Sequence, residues 1–288
     1  MKRLSLAILL VGAAGLVAFG TYSGSIVFQA PHGAKALGMG GAFTALADDG
    51  TTMLWNPAAL ALKPEGLWLG GATCNLFGMV GYQLVTAGGT FAGYAVGAGW
   101  ANATAGQPYS ANAFMGAVGV KLGDFGMVGV NLKYYMENVG TASNSGFGFD
   151  LGFLVALTPE ISIALTAKDI ATTIAGQTVN PVYTVGAGLG LLESALRLGV
   201  DLSLTGAFAP KDLRAGLEFV LIENLAVRAG FVAPGLDFAN YYFTVGAGFS
   251  LAGLTVDAAY VFLKEPGESL VLSATFLFGE LFAPEEGP

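Results

Sequence analysis

Residues 213–233 read LRAGLEFVLIENLAVRAGFVA. Leu213, Ala215, Leu217, Phe219 and Leu221 alternate with Arg214, Gly216, Glu218 and Val220. Ile222-Glu223-Asn224 is a turn, and alternation resumes with Arg228 opposite Leu225, Val227 and Phe231. A period of two places apolar and polar side chains on opposite faces of a strand. Two such runs joined by a short polar turn form an antiparallel hairpin. What distinguishes this hairpin is how few charges its polar face carries. The same sparseness runs through the chain: 54% of the 288 residues are apolar, 11% are charged, and 44 are glycine. A water-soluble surface of this size needs more charge. Yet no internal run reaches the ~18 uninterrupted apolar residues of a membrane helix. Alternation with one apolar face toward lipid reconciles the two observations.

The pattern repeats from Gly66 onward. Strand candidates are Gly66–Asn75, Met79–Ala87, Thr90–Ala101, Ala111–Leu122, Gly126–Asn138, Gly146–Leu157 and Ile161–Asp169. They continue with Val182–Leu191, Leu196–Thr205, Leu213–Leu221, Leu225–Ala233, Ala239–Ser250, Leu254–Leu263 and Ser269–Phe278. These number fourteen, and an even number closes a single-chain bacterial barrel. The expected fold class is all-β: a transmembrane antiparallel β-barrel. Connections are expected to alternate, with the longer ones at 102–110, 139–145, 170–180, 206–212, 234–238 and 264–268. Short turns on one side and longer loops on the other are the membrane-barrel arrangement.

A charge on the lipid face near the midplane costs ~2–4 kcal/mol, so the charged faces turn inward. The expected lumenal network is Lys133, Glu137, Asp150, Arg197, Asp201, Arg214, Glu218, Arg228 and Asp257. No charge occurs between Glu65 and Lys121. The inner face of the first four strands is therefore expected to be uncharged, made of Gly, Ala, Thr, Asn, Gln83 and aromatics.

Ahead of the strands, Gly33–Ala61 (GAKALGMGGAFTALADDGTTMLWNPAALA) fits neither a strand nor an ordinary helix. It reads as a plug inside the lumen at the periplasmic end. Its small Gly38–Ala47 run is expected to pack on the uncharged wall, with Lys35, Asp48 and Asp49 meeting charges opposite. The N-terminus carries Lys2 and Arg3, an apolar stretch from Leu4 to Val17, and Ala18-Phe19-Gly20, the marks of a cleaved secretory signal. The organisation is then signal 1–20, linker and plug 21–65, barrel 66–279 and tail 280–288. Removing Lys2 and Arg3 takes the net charge from -8 to -10. So acidic a chain, without a basic patch, argues against nucleic-acid binding. One cysteine, Cys74, forms no disulfide framework and no Cys-based metal site. The single histidine, His32, could be imagined in a triad with Ser23 and Asp48, but it falls in the linker. Asp48 and Asp49 could bind a cation, but a helix C-terminal turn or a charge pair with a lumenal Arg is the favoured reading. No enzyme, cofactor or metal is expected.

The run Gly38-Met39-Gly40-Gly41-Ala42-Phe43, then Ala47-Asp48-Asp49, then Trp55-Asn56-Pro57-Ala58 resembles the N-terminal signature of FadL-like outer-membrane proteins, and more closely their short PorV/PorQ relatives. The resemblance implies a fourteen-stranded barrel with its lumen plugged by the N-terminal segment. It implies passage of hydrophobic, fatty-acid-like or aromatic molecules, released sideways after the hatch moves. Asn56, Pro57 and Ala58 belong to that hatch. Through the PorV relatives it alternatively implies an outer-membrane component of protein secretion or envelope assembly. A purely structural barrel is the third reading. Expected partners are outer-membrane lipid, a hydrophobic ligand, or envelope and secretion proteins. The long outer loops that collect ligand in FadL-like transporters are nearly missing. Phe278 or Phe282 stands as the terminal aromatic.

Overall fold

The computed structural model describes residues 32–106, 109–123, 126–263 and 267–278. The signal-peptide stretch and the tail beyond Phe278 lie outside the described residues.

Antiparallel strands enclose the lumen. They are β1 (Gly66–Leu76), β2 (Val80–Phe91), β3 (Tyr94–Thr104), β4 (Tyr109–Leu122), β5 (Gly126–Val139), β6 (Ala142–Ala156) and β7 (Ile161–Ile174). A two-residue strand, β8 (Gln177–Thr178), pairs with the end of β7. Then come β9 (Val182–Leu191), β10 (Leu196–Thr205), β11 (Pro210–Ile222), β12 (Leu225–Pro234), β13 (Tyr242–Leu251), β14 (Leu254–Phe262) and β15 (Ser269–Leu277). Each pairs with its neighbours in sequence, β7 pairs with β9, and β1 pairs with β15. Without β8, these form a closed 14-strand barrel. Every junction is a hydrogen-bonded ladder, so the wall has no lateral gap among the described residues, and closure leaves no edge.

Two of the expected long connections are not loops. Residues 139–145 shrink to the turn Gly140-Thr141, because Ser143, Asn144 and Ser145 continue the ladder opposite Asn138, Glu137 and Met136. Within 170–180, β7 runs on to Ile174 before turning into β8. Polar residues do not end a ladder, because its bonds are made by the backbone.

β7 gains this length irregularly. Against β6 its register slips twice, with Phe147 opposite Thr173, Phe149 opposite Ile170 and Leu151 opposite Ala167. Each slip inserts one extra residue, a β-bulge. Asp169 and Ala171 sit at positive φ there, 57° and 50°. The result places consecutive residues, Lys168 and Asp169, on the lumenal side.

Candidate functional site

The plug fills the barrel at its short-turn end. It comprises a one-turn helix (Ala34–Gly38), a second (Thr52–Trp55) and a 3-10 helix (Pro57–Leu62). Phe43, Met39, Met53 and Leu60 are fully buried, and Trp55, Asn56, Pro57 and Ala58 are buried with them.

Glycine makes room for it. The inward residues Gly188, Gly199, Gly216 and Gly230 stand side by side across β9–β12. A Cβ on them would run into Leu46, Ala42, Met39 and Gly40 respectively. A second row, Gly119, Gly129 and Gly152 on β4–β6, lies under Pro57, Ala58 and Asn56. Glycine inside a strand costs stability and marks a close approach of another backbone. The two rows form the plug's seat. The small-residue run Gly38–Ala47 thus packs on β9–β13, the charged half, and not on β1–β4 as its composition led one to expect. Gly38 meets Gly246 and Arg228, and Gly41 meets Trp55 and Arg214. The first four strands instead receive residues 50–53, and the 3-10 helix lies mainly over β4–β6. Gly50 abuts Gly70, and Met53 lies at Gly97.

Wall side chains satisfy the plug backbone. Asp201 Oδ2 accepts the N–H groups of Phe43 (3.2 Å) and Thr44 (3.0 Å) and the Thr44 hydroxyl (2.6 Å). Thr244 accepts from Gly40 N–H and donates to Gly38 C=O. Gly50 donates to Thr275 and accepts from Thr86. Asn56 joins three segments. Its Oδ1 accepts Ala58 N–H at 3.0 Å, capping the 3-10 helix, and its Nδ2 donates to Thr44 C=O at 3.0 Å and Phe153 C=O at 3.4 Å. Asn56→Ala strands buried backbone groups at ~1–3 kcal/mol each. Faster amide exchange at Ala58, with barrel amides unchanged, is the expected result by mass-resolved hydrogen exchange.

The lumenal charges form two groups. One ties plug to wall. Lys35 Nζ lies 2.9 Å from Asp48 and 3.6 Å from Glu218; Arg197 bridges Asp48 (2.6 Å) and Glu218 (3.1 Å). Arg228 bridges Glu218 (2.6 Å) and Asp257 (2.7 Å). Asp49 takes no part; its carboxylate accepts the N–H and O–H of Thr51. The other group lies toward the opposite end, where Lys133 sits between Asp150 and Asp169, and Tyr135 donates to Asp169. Arg214 pairs with its strand neighbour Asp212 at 2.9 Å. Glu137 accepts from the Tyr109 hydroxyl at 2.9 Å. Sequence reading missed Asp169, Lys168 and Asp212, the first two because the bulge breaks the alternation.

Burial pushes the Asp48 carboxyl up, but Arg197 and Lys35 outweigh it and hold the group below the usual carboxylate range. A depressed folded pKa gives stability that is complete above the unfolded value of about 3.9 and is lost only as pH falls through the folded value. The contribution of Asp48 to seating the plug is therefore constant between pH 7 and pH 4. The loss of exchange protection in Asp48→Asn relative to wild type is expected to be the same at every pH within that range.

Above the plug, toward the other end of the barrel, lies a cavity of about 510 Å³. Its floor includes Trp55, Leu54 and Gly41. One wall is apolar, with Ala101, Ala113, Met115 and Leu76, and the other carries Lys133, Asp150, Lys168, Asp169 and Arg214. Lys168 Nζ stands 5.1 Å over the Trp55 ring, and no carboxylate pairs with it among the described residues. His32 is not a free linker residue. Its Nδ1 meets the Tyr82 hydroxyl at 2.9 Å, and its carbonyl accepts from Trp55. Burial, with Lys168 and Lys133 nearby, holds its imidazole down to about 3, so it is neutral at ordinary pH. Asp48 pairs with Lys35 and Arg197, and no Asp48–His32 pair occurs among the described residues. Ser23 lies outside the described residues. No metal-binding cluster occurs among the described residues.

The inner face of β1–β4 is uncharged and more apolar than expected: Leu76, Tyr82, Leu84, Ala101, Ala113 and Met115 point inward. Gln83, placed inside by the sequence reading, points outward, as do Asn75, Asn102 and Asn112.

No protein-family model matches the sequence, and no curated protein matches it. Solved structures do. The toluene transporter TodX of Pseudomonas putida aligns at TM-score 0.65 with 11% identity, over 85% of this chain and 98% of that one. The Ralstonia pickettii toluene transporter TbuX gives 0.61 at 13% identity, over 85% and 98%. A Pseudomonas aeruginosa FadL homologue gives 0.61 at 12%, over 86% and 99%. At such identity the likeness is one of fold, and the fold of this chain is that of the FadL-homologue and toluene-transporter barrels.

Proposed function

We propose that this protein is an outer-membrane channel for hydrophobic small molecules, gated by its N-terminal plug. The observation that carries the reading is the two-walled cavity above the plug, apolar on one side and bearing an unpaired Lys168 on the other. Pockets for small molecules are mostly apolar with a few placed polar groups. An amphiphile with an acidic or hydrogen-bonding end suits it better than a bare hydrocarbon. The toluene transporters and the FadL homologue that share the fold support the class. Since the wall is continuous and the plug fills the far end, passage requires the plug to shift. Vesicles holding the folded protein are expected to take up an aromatic or alkyl carboxylate faster than empty ones, with Lys168→Met slowing the carboxylate more than toluene. Folded barrel that accelerates no hydrophobic probe at all defeats the proposal.

A second reading is favoured by the many hydrogen bonds holding the plug and by the two-residue turn Gly140-Thr141 where a longer loop was expected. A sealed barrel presenting its surface suits a PorV-type component of secretion or envelope assembly. Recovery of exported proteins with the tagged, membrane-embedded barrel, together with no uptake activity, would select it.

A further inference from the structure

The outward positions of β1–β5 change character in rows. One row across the strands is Leu69, Ala87, Ala98, Gly116 and Leu132. The next is Gly71, Val85, Trp100, Phe114 and Tyr134, extended by Phe147 on β6. One step further toward the loop end, the row is Thr73, Gln83, Asn102 and Asn112, directly paired across four strands. Beyond it stand Asn75, Gly81, Thr104, Ser110 and Asn138. Outward aromatics collect where a barrel leaves the hydrocarbon. The amide and hydroxyl rows therefore lie in the headgroup layer.

This face is built for hydrogen bonding and not for charge. Asn112 Oδ1 receives Trp100 Nε1 at 3.1 Å and Asn102 Nδ2 at 3.1 Å, which fixes all three side chains. The Asn112 amino group and the whole amides of Gln83 and Asn75 keep no protein partner among the described residues. The array thus presents donors and acceptors in a fixed lattice beside a half-buried indole. No Lys, Arg, Asp or Glu occurs from Gly66 to Val120, so nothing here selects a phosphate. Adjacent strands differ: Thr73 is opposite Leu272 of β15, whose own partner on β14 is Ala258.

We propose that the outward carboxamide face of β1–β4 binds the neutral saccharide headgroup of an outer-leaflet glycolipid. Sugar hydroxyls supply the acceptors and donors that the free amides lack, and their apolar faces suit the Trp100 ring. Phosphate-bearing headgroups have no cation to meet there. The expected preference is about fivefold, what one net neutral hydrogen bond supplies.

The test uses the folded barrel in phosphatidylcholine vesicles doped with equal amounts of digalactosyl diacylglycerol and phosphatidylglycerol of matched chains. Lipid retained by the protein after extraction is counted by native mass spectrometry. The wild type should keep the galactolipid over phosphatidylglycerol, and the triple variant Gln83→Leu, Asn102→Leu, Asn112→Leu should lose the preference. All three positions already face outward next to apolar rows, and heat-modifiable migration checks that the barrel is folded. Asn112→Lys, a single change, should turn the preference toward phosphatidylglycerol. Equal retention of both lipids by the wild type overturns the proposal. So does an unchanged preference in the folded triple variant, or a wild-type dimer that the triple variant splits, which would make the face a contact between two copies.

Discussion

Gly129→Val is expected to open the barrel. In planar bilayers the variant should show a stable conductance where the wild type shows little, and cells carrying it should admit small hydrophilic antibiotics. Gly129 lies inward on β5 beneath the 3-10 helix, and any side chain there strikes the backbone of Pro57 and Ala58. Backbone cannot rotate away as a side chain can. Nor can the strand yield, because β5 is laddered over its full length to β4 and β6. Valine is itself a good strand residue, so the barrel keeps its form and the plug gives way. Once Pro57 and Ala58 lift, Asn56 loses its bonds to Thr44 and Phe153, and the two halves of the plug separate. Gly116→Val is the control. It lies on the outer face of β4 with nothing within 4 Å of a new Cβ, and should behave as wild type. A folded Gly129→Val barrel with wild-type conductance would mean that the plug adapts to a filled seat, and the glycine rows would not be what holds it in place.

The seat was in the sequence in a form that composition alone does not display. Its glycines share parity with the lumenal charges: Arg197-x-Gly199-x-Asp201, Arg214-x-Gly216-x-Glu218, Arg228-x-Gly230, Asp150-x-Gly152. Once a charge fixes which face is inward, these glycines two residues away are inward too, and the plug lies over each of them. The same logic explains the failure on β1–β4. With no charge from Gly66 to Val120, nothing sets the parity, and a rule that turns polar residues inward misplaces Gln83. The assumption that outward means apolar fails on these strands, where Gln83, Asn75, Asn102 and Asn112 all point outward. The β7 bulges were illegible for another reason. Asp169 and Ala171 take positive φ without being glycine, so no residue type announced the extra residues that deliver Lys168 and Asp169 to the cavity. The fourteen strands themselves were readable because a closed wall in lipid requires the same alternation on every one.

Arg228→Met is expected to destabilise the barrel by about 3–5 kcal/mol, the cost of removing one partner from a buried ion pair. The three side chains Arg228, Glu218 and Asp257 are 3%, 4% and 1% exposed, so water cannot replace the lost cation. The two carboxylates do not suffer equally. Glu218 still has Arg197 at 3.1 Å and Lys35 at 3.6 Å, whereas no other cation is within pairing distance of Asp257 among the described residues. Most of the loss should therefore trace to Asp257. Two double variants separate the shares. Arg228→Met with Asp257→Leu should recover the greater part of the lost stability, because it removes the stranded charge. Arg228→Met with Glu218→Gln should recover little, and it should also loosen Lys35 and Arg197, the residues that hold Asp48 of the plug. Urea unfolding in detergent micelles, followed by the loss of heat-modifiable migration, measures all three. If the Glu218 double variant recovers more than the Asp257 one, Glu218 is the stranded charge, Arg197 and Lys35 do not satisfy it by themselves, and Arg228 supports the plug through Glu218.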